Sequence, residues 1–119
     1  MSELIQHLRQ HLPENQIIVD EIRRLAYGTD ASFYRLIPEV ITVIETENDL
    51  KTVLTAAHQN KRPVTFRAAG TSLSGQAITD GILALIGEGF ATCEISADAS
   101  KVKAGPGIVG GEVNRRLAP

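Results

Sequence analysis

Residues 66–76 read FRAAGTSLSGQ, and this stretch decides how the rest of the chain is interpreted. Gly70 and Gly75 bracket a run of hydroxyl residues, directly after an apolar segment that is typical of a buried strand. A surface turn would more often carry Asp, Asn, Lys or Pro, whereas this loop carries alanines, Leu73 and, just beyond it, Ile78. We therefore predict a packed loop, whose backbone groups must be satisfied by the protein or by a ligand.

The spacing of the two glycines begins the pattern of a P-loop, whose backbone N–H groups point at phosphate oxygens. A P-loop continues with Lys and then Ser or Thr, whereas Gln76 and Ala77 follow here. The cation and the Mg²⁺ ligand needed for NTP hydrolysis are therefore missing. Because Thr71, Ser72 and Ser74 are neutral hydroxyl donors, the loop suits a pyrophosphate that is held without being cleaved. A purely structural loop is the alternative.

The composition indicates a globular protein of one domain: 119 residues, 43% hydrophobic and 22% charged. The formal net charge of −2 argues against nucleic acid as a partner, because such partners call for a basic patch. Cys93 is the only cysteine, so no internal disulfide can form, and we expect a reducing compartment. The first residues lack the apolar core of a signal peptide, and no run is long enough for a transmembrane segment.

Segments on the N-terminal side of the loop predict a strand–helix–strand unit with parallel strands. A strand is expected over EVITVIE (39–45), a helix over TENDLKTVLTAAHQN (46–60) and a strand over PVTF (63–66). Thr46 has the position of an N-cap. The predicted apolar face of the helix comprises Leu50, Val53, Leu54 and Ala57. Further upstream, an amphipathic helix begins after Ser2, and residues 29–38 are predicted to be irregular.

Segments on the C-terminal side predict a buried strand over ILALI (82–86) and an antiparallel pair over TCEIS and KVKAG. Residues 105–110, GPGIVG, match the G-x-G-x-x-G pattern and lead into a last helix. The dinucleotide-binding version of that pattern opens a strand–helix–strand unit and has an acidic residue about 20 positions later. Because the chain stops before such a residue, the pattern alone does not indicate a Rossmann site. The stop so soon after a helix begins suggests a fragment of a longer protein, and a complete small domain is the alternative.

Isolated polar residues indicate a functional role less strongly than the two glycine patterns do. His7 and His11 are spaced to share a metal on one helix, but no third ligand is evident, so we predict a solvated face and no metal site. His58 is expected to face the terminal carbonyls of its helix, and Cys93 is expected in the core. Arg67 leaves a buried strand and needs a partner, for which a ligand phosphate and Asp80 are the candidates.

Three stretches together resemble one family. PVTFRAAGTSLSGQAITDGILAL (63–85) resembles the pyrophosphate-binding segment of vanillyl-alcohol-oxidase type flavoproteins, also called the PCMH-type FAD-binding fold. The likeness is to its D-lactate and glycolate dehydrogenase branch. YGTDASFYRLIPEVI (27–41) and VKAGPGIVGGEVNRRL (102–117) are similar to neighbouring segments of the large D-lactate dehydrogenase-like proteins, in which an iron–sulfur domain follows the FAD domain.

The resemblance implies an α+β fold, the first subdomain of a PCMH-type FAD-binding domain, with a small mostly parallel sheet flanked by helices. Residues 1–36 would form an N-terminal helical segment, and residues 37–119 the N-terminal part of the FAD-binding domain. Relatives often attach FAD through a histidine just after the first loop glycine. Thr71 stands there, so non-covalent FAD is expected.

The resemblance also implies a set of cofactor-binding residues. Pro38 would border the adenine, and Gly105, Pro106 and Gly107 would form a second wall beside the flavin. The pyrophosphate would lie against the loop, with contacts from Arg67, Gly70, Thr71, Ser72, Leu73, Ser74, Gly75 and Gln76.

The implied reaction is the oxidation of a 2-hydroxy acid such as D-lactate by hydride transfer to FAD, with an electron acceptor as a further partner. No catalytic residue is assigned to this chain: the base, the rest of the FAD domain and any iron–sulfur cluster would lie in parts that it lacks. Docking with those parts is expected, in a cytoplasmic or membrane-peripheral protein. Two alternatives stay open, a stand-alone nucleotide-phosphate-binding module and a structural subunit of a split flavoprotein.

Overall fold

The central feature of the fold is a four-stranded sheet in a computed structural model that describes residues 2–119. The strands are β1 (Ile17–Ile18), β2 (Val40–Ile44), β3 (Val64–Arg67) and β4 (Ile82–Ile86), in the spatial order β1-β2-β4-β3. β4 runs parallel to both β2 and β3, whereas β1 is antiparallel to β2. The predicted α+β fold with a small mostly parallel sheet is confirmed.

Helix α3 (Glu47–Asn60) connects β2 to β3, so the predicted strand–helix–strand unit is also confirmed. The two strands are not neighbours, because β4 lies between them and pairs with both. This central place explains why Ile82, Leu83 and Ala84 are all buried. A strand that is covered on both faces and paired on both edges reads as a continuous apolar run.

One face of the sheet carries the main core. Helices α1 (Glu3–His11) and α3 pack on the side chains of alternate strand residues, such as Val40, Ile44 and Ile82. Leu4 and Leu8 of α1 are buried in this cluster, as are Val53, Ala56 and Ala57 of α3.

The apolar face predicted for α3 is wrong in one residue. Leu54 is 44% exposed, and Ala56 is fully buried. Val53, Ala56 and Ala57 share a face because residues three and four apart lie on the same side of a helix. Leu54 lies about 100° further around the helix than Val53 and therefore points away from the sheet.

The opposite face of the sheet is covered more thinly. Ile18, Ile41 and Leu83 form a second buried cluster, on which Tyr27 packs. Helix α2 (Glu21–Ala26) precedes Tyr27, and residues 27–37 then run without regular structure to β2, as predicted. We call residues 27–37 the 27–37 segment.

Helix caps follow the predicted residues. The hydroxyl of Ser2 accepts a hydrogen bond from the Ile5 N–H, and Thr46 and Asp49 form a capping box at the start of α3. At the other end of α3, Lys61 has a left-handed conformation, and the N–H of Arg62 donates to the Ala57 carbonyl at 2.9 Å. The prediction for His58 is not supported, because its exposed ring makes no hydrogen bond with any residue between 2 and 119.

The C-terminal quarter stands apart from the main core. Strands β5 (Cys93–Ile95) and β6 (Val102–Ala104) form the predicted antiparallel pair, and helix α4 (Gly110–Leu117) follows. Cys93 is only half-buried, so its predicted place in the core is wrong. It lies in the two-stranded β5–β6 sheet, whose six residues are all exposed or half-buried. Among residues 2–119, no helix is long and apolar enough to cross a membrane.

Candidate functional site

Two glycine-containing segments lie at the carboxyl edge of the parallel strands. The segment with Gly70 and Gly75 leaves the carboxyl end of β3, and residues 87–92 leave the carboxyl end of β4. Residues 105–107 pack on the latter, since the N–H groups of Gly105 and Gly107 donate to the carbonyls of Thr92 and Phe90 at 2.8 and 2.9 Å. Open α/β sheets bind ligands at this edge.

The glycine loop, residues 70–76, leaves most of its N–H groups open. Among residues 2–119, the N–H groups of Ser74 and Gln76 alone in this loop have a partner, and both donate to the Ser72 hydroxyl at 3.2 Å. The remaining open donors, all in exposed or half-buried residues, are the N–H groups of Gly70, Thr71, Ser72, Leu73 and Gly75. Successive open N–H groups of this kind make an anion-binding concavity.

The two bracketing glycines have backbone conformations that other residues avoid. Gly70 has a φ of 69° and Gly75 a φ of 81°, both in the left-handed region. A Cβ atom on Gly70 would lie 2.4 Å from Nη2 of Arg67, and one on Gly75 would lie 3.1 Å from Cδ2 of Tyr34. The glycines therefore permit both the turn of the loop and its close contact with neighbouring side chains.

Arg67 does not pair with Asp80, which was one of the two partners that the sequence suggested. Its Nη1 donates to the carbonyl of Thr29 at 2.7 Å and, at 3.5 Å each, to those of Tyr27 and Ala77. The guanidinium also lies over the Tyr27 ring, 5.1 Å from its centroid. Asp80 is exposed and pairs with no residue between 2 and 119. Arg67 thus ties the 27–37 segment to the loop, and its contact with a cofactor stays a prediction.

Asp30 makes a second tie that the sequence analysis missed. One carboxylate oxygen accepts hydrogen bonds from the N–H and hydroxyl of Ser32, and the other accepts from the Ala77 N–H at 3.3 Å. The hydrogen bond from the Ser32 side chain, followed by those from backbone N–H groups, lowers the pKa of Asp30 below its usual value. The signal in the sequence was Asp-x-Ser, a common Asx turn.

A cleft of about 350 Å³ adjoins the glycine loop. Ser74 and Gly75 of the loop line it, together with Tyr34, Arg35 and Leu36 of the 27–37 segment. Ile78 completes the lining. The cleft joins polar backbone, apolar surface and one positive charge, a mixture that is typical of small-molecule sites.

The other residues that were predicted to bind the cofactor differ in how deeply they are buried. Leu73 is 77% exposed, whereas Pro38 is fully buried, and its carbonyl accepts a hydrogen bond from Nε of Arg24 at 2.7 Å. A Cβ on Gly105 would lie 2.2 Å from the carbonyl oxygen of Phe90. Packing alone therefore requires this glycine. Cofactor contacts of Pro38, Gly105, Pro106 and Gly107 stay predictions.

No metal centre is evident in the described part of the chain. The rings of His7 and His11 lie 5.2 Å apart, beside Lys51 and two threonines. No group of three or more His, Cys, Asp and Glu side chains in residues 2–119 is arranged to hold a metal ion.

The residues of the loop fit the group that the resemblance implies. A pyrophosphate presents several acceptor oxygens and no donors, and the glycine loop presents open donors without a carboxylate. Gly70 and Gly75, both left-handed, contribute no side chain to that surface. A dinucleotide that is held by its pyrophosphate is therefore compatible with this chain.

Comparison with the sequences of known proteins also indicates an FAD-binding chain. The model of the family described as "FAD binding domain" matches residues 38–119. The glycolate oxidase subunit GlcD of Escherichia coli strain K12 is 25% identical over 121 aligned residues, which cover 99% of this chain and 24% of GlcD. The chain thus spans about a quarter of the length of this relative. The predicted division at residues 36 and 37 stays a prediction.

Solved structures share the fold. A Physcomitrella patens BBE-like 1 variant superposes with a TM-score of 0.77 at 20% identity, covering 98% of this chain and 26% of that one. p-Cresol methylhydroxylase superposes with a TM-score of 0.74 at 13% identity, covering 97% of this chain and 24% of the other. At sequence identities this low, the superpositions show a shared fold only.

Proposed function

The chain belongs to the FAD-binding domain family, and on that premise we propose that its glycine loop holds the pyrophosphate of FAD in a flavin-dependent oxidoreductase that oxidises a 2-hydroxy acid. One observation carries the proposal: the open N–H groups of Gly70, Thr71, Ser72, Leu73 and Gly75 at the carboxyl edge of the sheet. Neutral donors suit a phosphate group that is bound through the whole reaction and never transferred.

The chain contributes binding and orientation. Hydrogen bonds of Arg67 and Asp30 tie the two ends of the loop, at β3 and at Ala77, to the 27–37 segment, which favours donors that are positioned before a ligand arrives. Preorganised donors lose little conformational entropy on binding. Bound FAD would supply the hydride acceptor for oxidation of the carbon that bears the substrate hydroxyl, and a 2-oxo acid would result once a base had taken the hydroxyl proton. We assign no base to this chain.

The substrate class is inferred from the relative. GlcD is named as a glycolate oxidase subunit, and glycolate and D-lactate both have the hydroxyl on the carbon next to a carboxylate. The resemblance in residues 27–41 and 102–117 supports the same branch. Thr71 has no ring nitrogen that could bond to the flavin, so the proposed FAD is non-covalent and is released when the protein is precipitated with acid.

Docking with other parts of a flavoprotein is part of the proposal. Large apolar side chains are exposed on the 27–37 segment and nearby, including Phe33 at 88% and Ile22 at 80%. Exposed apolar side chains in one region are typical of a surface that another part of a protein covers.

The visible absorption spectrum of the natural full-length protein tests the function, before and after anaerobic addition of D-lactate or glycolate. A flavin spectrum that bleaches with either acid supports both the cofactor and the substrate class. A flavin spectrum that persists with both acids contradicts the substrate class and leaves the FAD site standing. A protein without flavin that also fails to bind added FAD would contradict the whole proposal.

A further inference from the structure

We propose that Arg35 supplies the positive charge that the bound pyrophosphate needs and that the glycine loop lacks. The inference rests on the proposed function, because it assumes that the loop binds a dinucleotide. It assigns a binding role to a residue of the 27–37 segment, outside the loop itself.

The loop alone leaves the charge of its ligand uncompensated. The pyrophosphate of FAD is dianionic, whereas residues 70–76 contain no Lys or Arg and offer neutral N–H and hydroxyl donors. In a P-loop, a lysine within the motif provides the missing charge, and Gln76 stands at that place here. A cation from another element would therefore add the charge compensation that the neutral donors of the loop do not give.

Arg67 is the nearest arginine in the sequence, but its guanidinium is engaged. Nη1 donates to the Thr29 carbonyl at 2.7 Å, and the guanidinium lies over the Tyr27 ring and against Gly70. Moving Nη1 to a ligand would break its hydrogen bond to the Thr29 carbonyl, so only Nε and Nη2, which lie against Gly70, stay available. Arg24 is also engaged, through Nε, by the Pro38 carbonyl at 2.7 Å.

Arg35 is the arginine whose side chain is open. It makes no hydrogen bond or ion pair with any residue between 2 and 119, and it lines the same cleft as Ser74 and Gly75. No other charged side chain lines this cleft among the described residues. An arginine can donate two parallel hydrogen bonds to a phosphate, which are stronger than those from neutral donors.

The backbone around Arg35 is held in place, which separates it from an ordinary solvated arginine. The Leu36 N–H donates to the Gly28 carbonyl at 3.0 Å, and the Tyr34 N–H donates to the Ser32 hydroxyl at 3.2 Å. The Tyr34 ring lies so near Gly75 of the loop that a Cβ there would be 3.1 Å from its Cδ2. The backbone of Arg35 is therefore held at the cleft that Gly75, one of the residues with an open N–H, also lines.

The test compares the binding of ADP and of adenosine, which differ in the charged phosphates, by titration calorimetry at several salt concentrations. The proteins are the wild type, Arg35→Gln, Arg35→Lys and Lys51→Gln. Lys51 is an exposed residue of α3, which covers the other face of the sheet, so its variant controls for net charge. Circular dichroism checks that each variant is folded.

We expect Arg35→Gln to weaken ADP binding about tenfold or more, because it removes a charge-assisted hydrogen bond, and to leave adenosine binding unchanged. The dependence of ADP affinity on salt should fall in the same variant. Arg35→Lys should retain part of the affinity, since it keeps the charge and loses the paired donors. Lys51→Gln should bind both ligands as the wild type does.

Two results would overturn the role of Arg35 alone: a wild type that binds ADP no better than Arg35→Gln, or an Arg35→Gln variant that loses ADP and adenosine equally. In either case, FAD binding by the wild type would leave the proposed function intact. A wild type that binds neither ADP nor FAD would overturn both the function and this inference.

Discussion

At the scale of single residues, Gly70 shows why the loop depends on the residue type. Its φ of 69° is unfavourable for any residue with a Cβ, and its Cα lies directly against the guanidinium of Arg67. A side chain there would strain the backbone and displace the arginine that holds the 27–37 segment. The residue type at position 70 thus affects both the arrangement of the open N–H groups and the hydrogen bond of Arg67 to the 27–37 segment.

Replacing Gly70 by Ala should lower the free energy of unfolding by about 1–2 kcal/mol, which is the cost of the left-handed conformation for a residue with a Cβ. FAD affinity should fall as well, because the open N–H groups lose their alignment. Gly111→Ala is the matched control, since a Cβ on Gly111 meets no atom within 4 Å and α4 gains helix propensity. Urea unfolding and flavin fluorescence titration measure the two effects. An unchanged Gly70→Ala variant would contradict the role of this glycine.

At the scale of elements, the residues on either side of the glycine loop are tied to the 27–37 segment. Asp30 accepts the Ala77 N–H, and Arg67 donates to the Thr29 carbonyl, so the 27–37 segment and the loop are tied at two points. Nothing in the main core makes these contacts. The loop can therefore loosen without unfolding of the sheet, which is a common property of binding segments.

The tie through Asp30 should depend on pH. Because the pKa of Asp30 is lower in the folded protein than in the unfolded chain, its stabilisation is present above the unfolded pKa and is lost as the pH falls through the folded value. Amide hydrogen exchange at Ala77 should therefore become faster in acid, after correction for intrinsic exchange rates. Asp30→Asn should remove this dependence.

Asp98 provides the control for that measurement. Hydrogen bonds from Ser96 and Ser100 lower its pKa to about 2, but it lies in the turn between β5 and β6. Asp98→Asn should leave exchange at Ala77 unchanged at every pH. If it altered exchange as Asp30→Asn does, the effect would belong to the whole fold and not to the tie.

Two leucines on neighbouring helices differ in burial, so their substitution should affect stability differently. Leu8 of α1 is fully buried in the main core, whereas Leu54 of α3 is 44% exposed. Leu8→Ala should lower the free energy of unfolding by about 2–5 kcal/mol, because it leaves a cavity. Leu54→Ala should change it by less than about 0.5 kcal/mol. Urea unfolding of both variants measures the difference, and equal losses would contradict the orientation of α3.

At the scale of the whole molecule, the chain is more extended than a typical domain of its length. Its radius of gyration is 16.0 Å, and its extents are 53 × 34 × 22 Å. A compact domain of this length would have a radius of gyration of about 13.5 Å. The larger radius of gyration is consistent with a C-terminal quarter, residues 93–119, that packs loosely on the rest of the chain. Neither the β5–β6 pair nor α4 contains a buried residue.

Hydrogen exchange should reveal this division. Amides of β2 and β4 are expected to exchange slowly, since both strands lie inside the sheet and carry fully buried side chains. Amides of β5, β6 and α4 should exchange much faster. Mass spectrometry of peptides from the labelled protein measures both groups at once, and equal protection would show that the C-terminal quarter is part of the same cooperative unit.

The sequence by itself determined the features that depend on neighbouring residues. The Thr46 cap, the strand over ILALI and the turn at Gly70 and Gly75 follow from local preferences for backbone conformation and from apolar periodicity. The resemblance of three stretches also indicates the family. These features account for nearly all element positions and for the place of the candidate site.

Only the tertiary structure decided which distant residues meet. It placed β4 between β2 and β3, gave Arg67 backbone carbonyls as partners and brought Asp30 to Ala77. It also left Arg35 open beside the loop. The reason is physical: contacts between residues far apart in the chain depend on how the packed elements are arranged, and local preferences do not encode that arrangement.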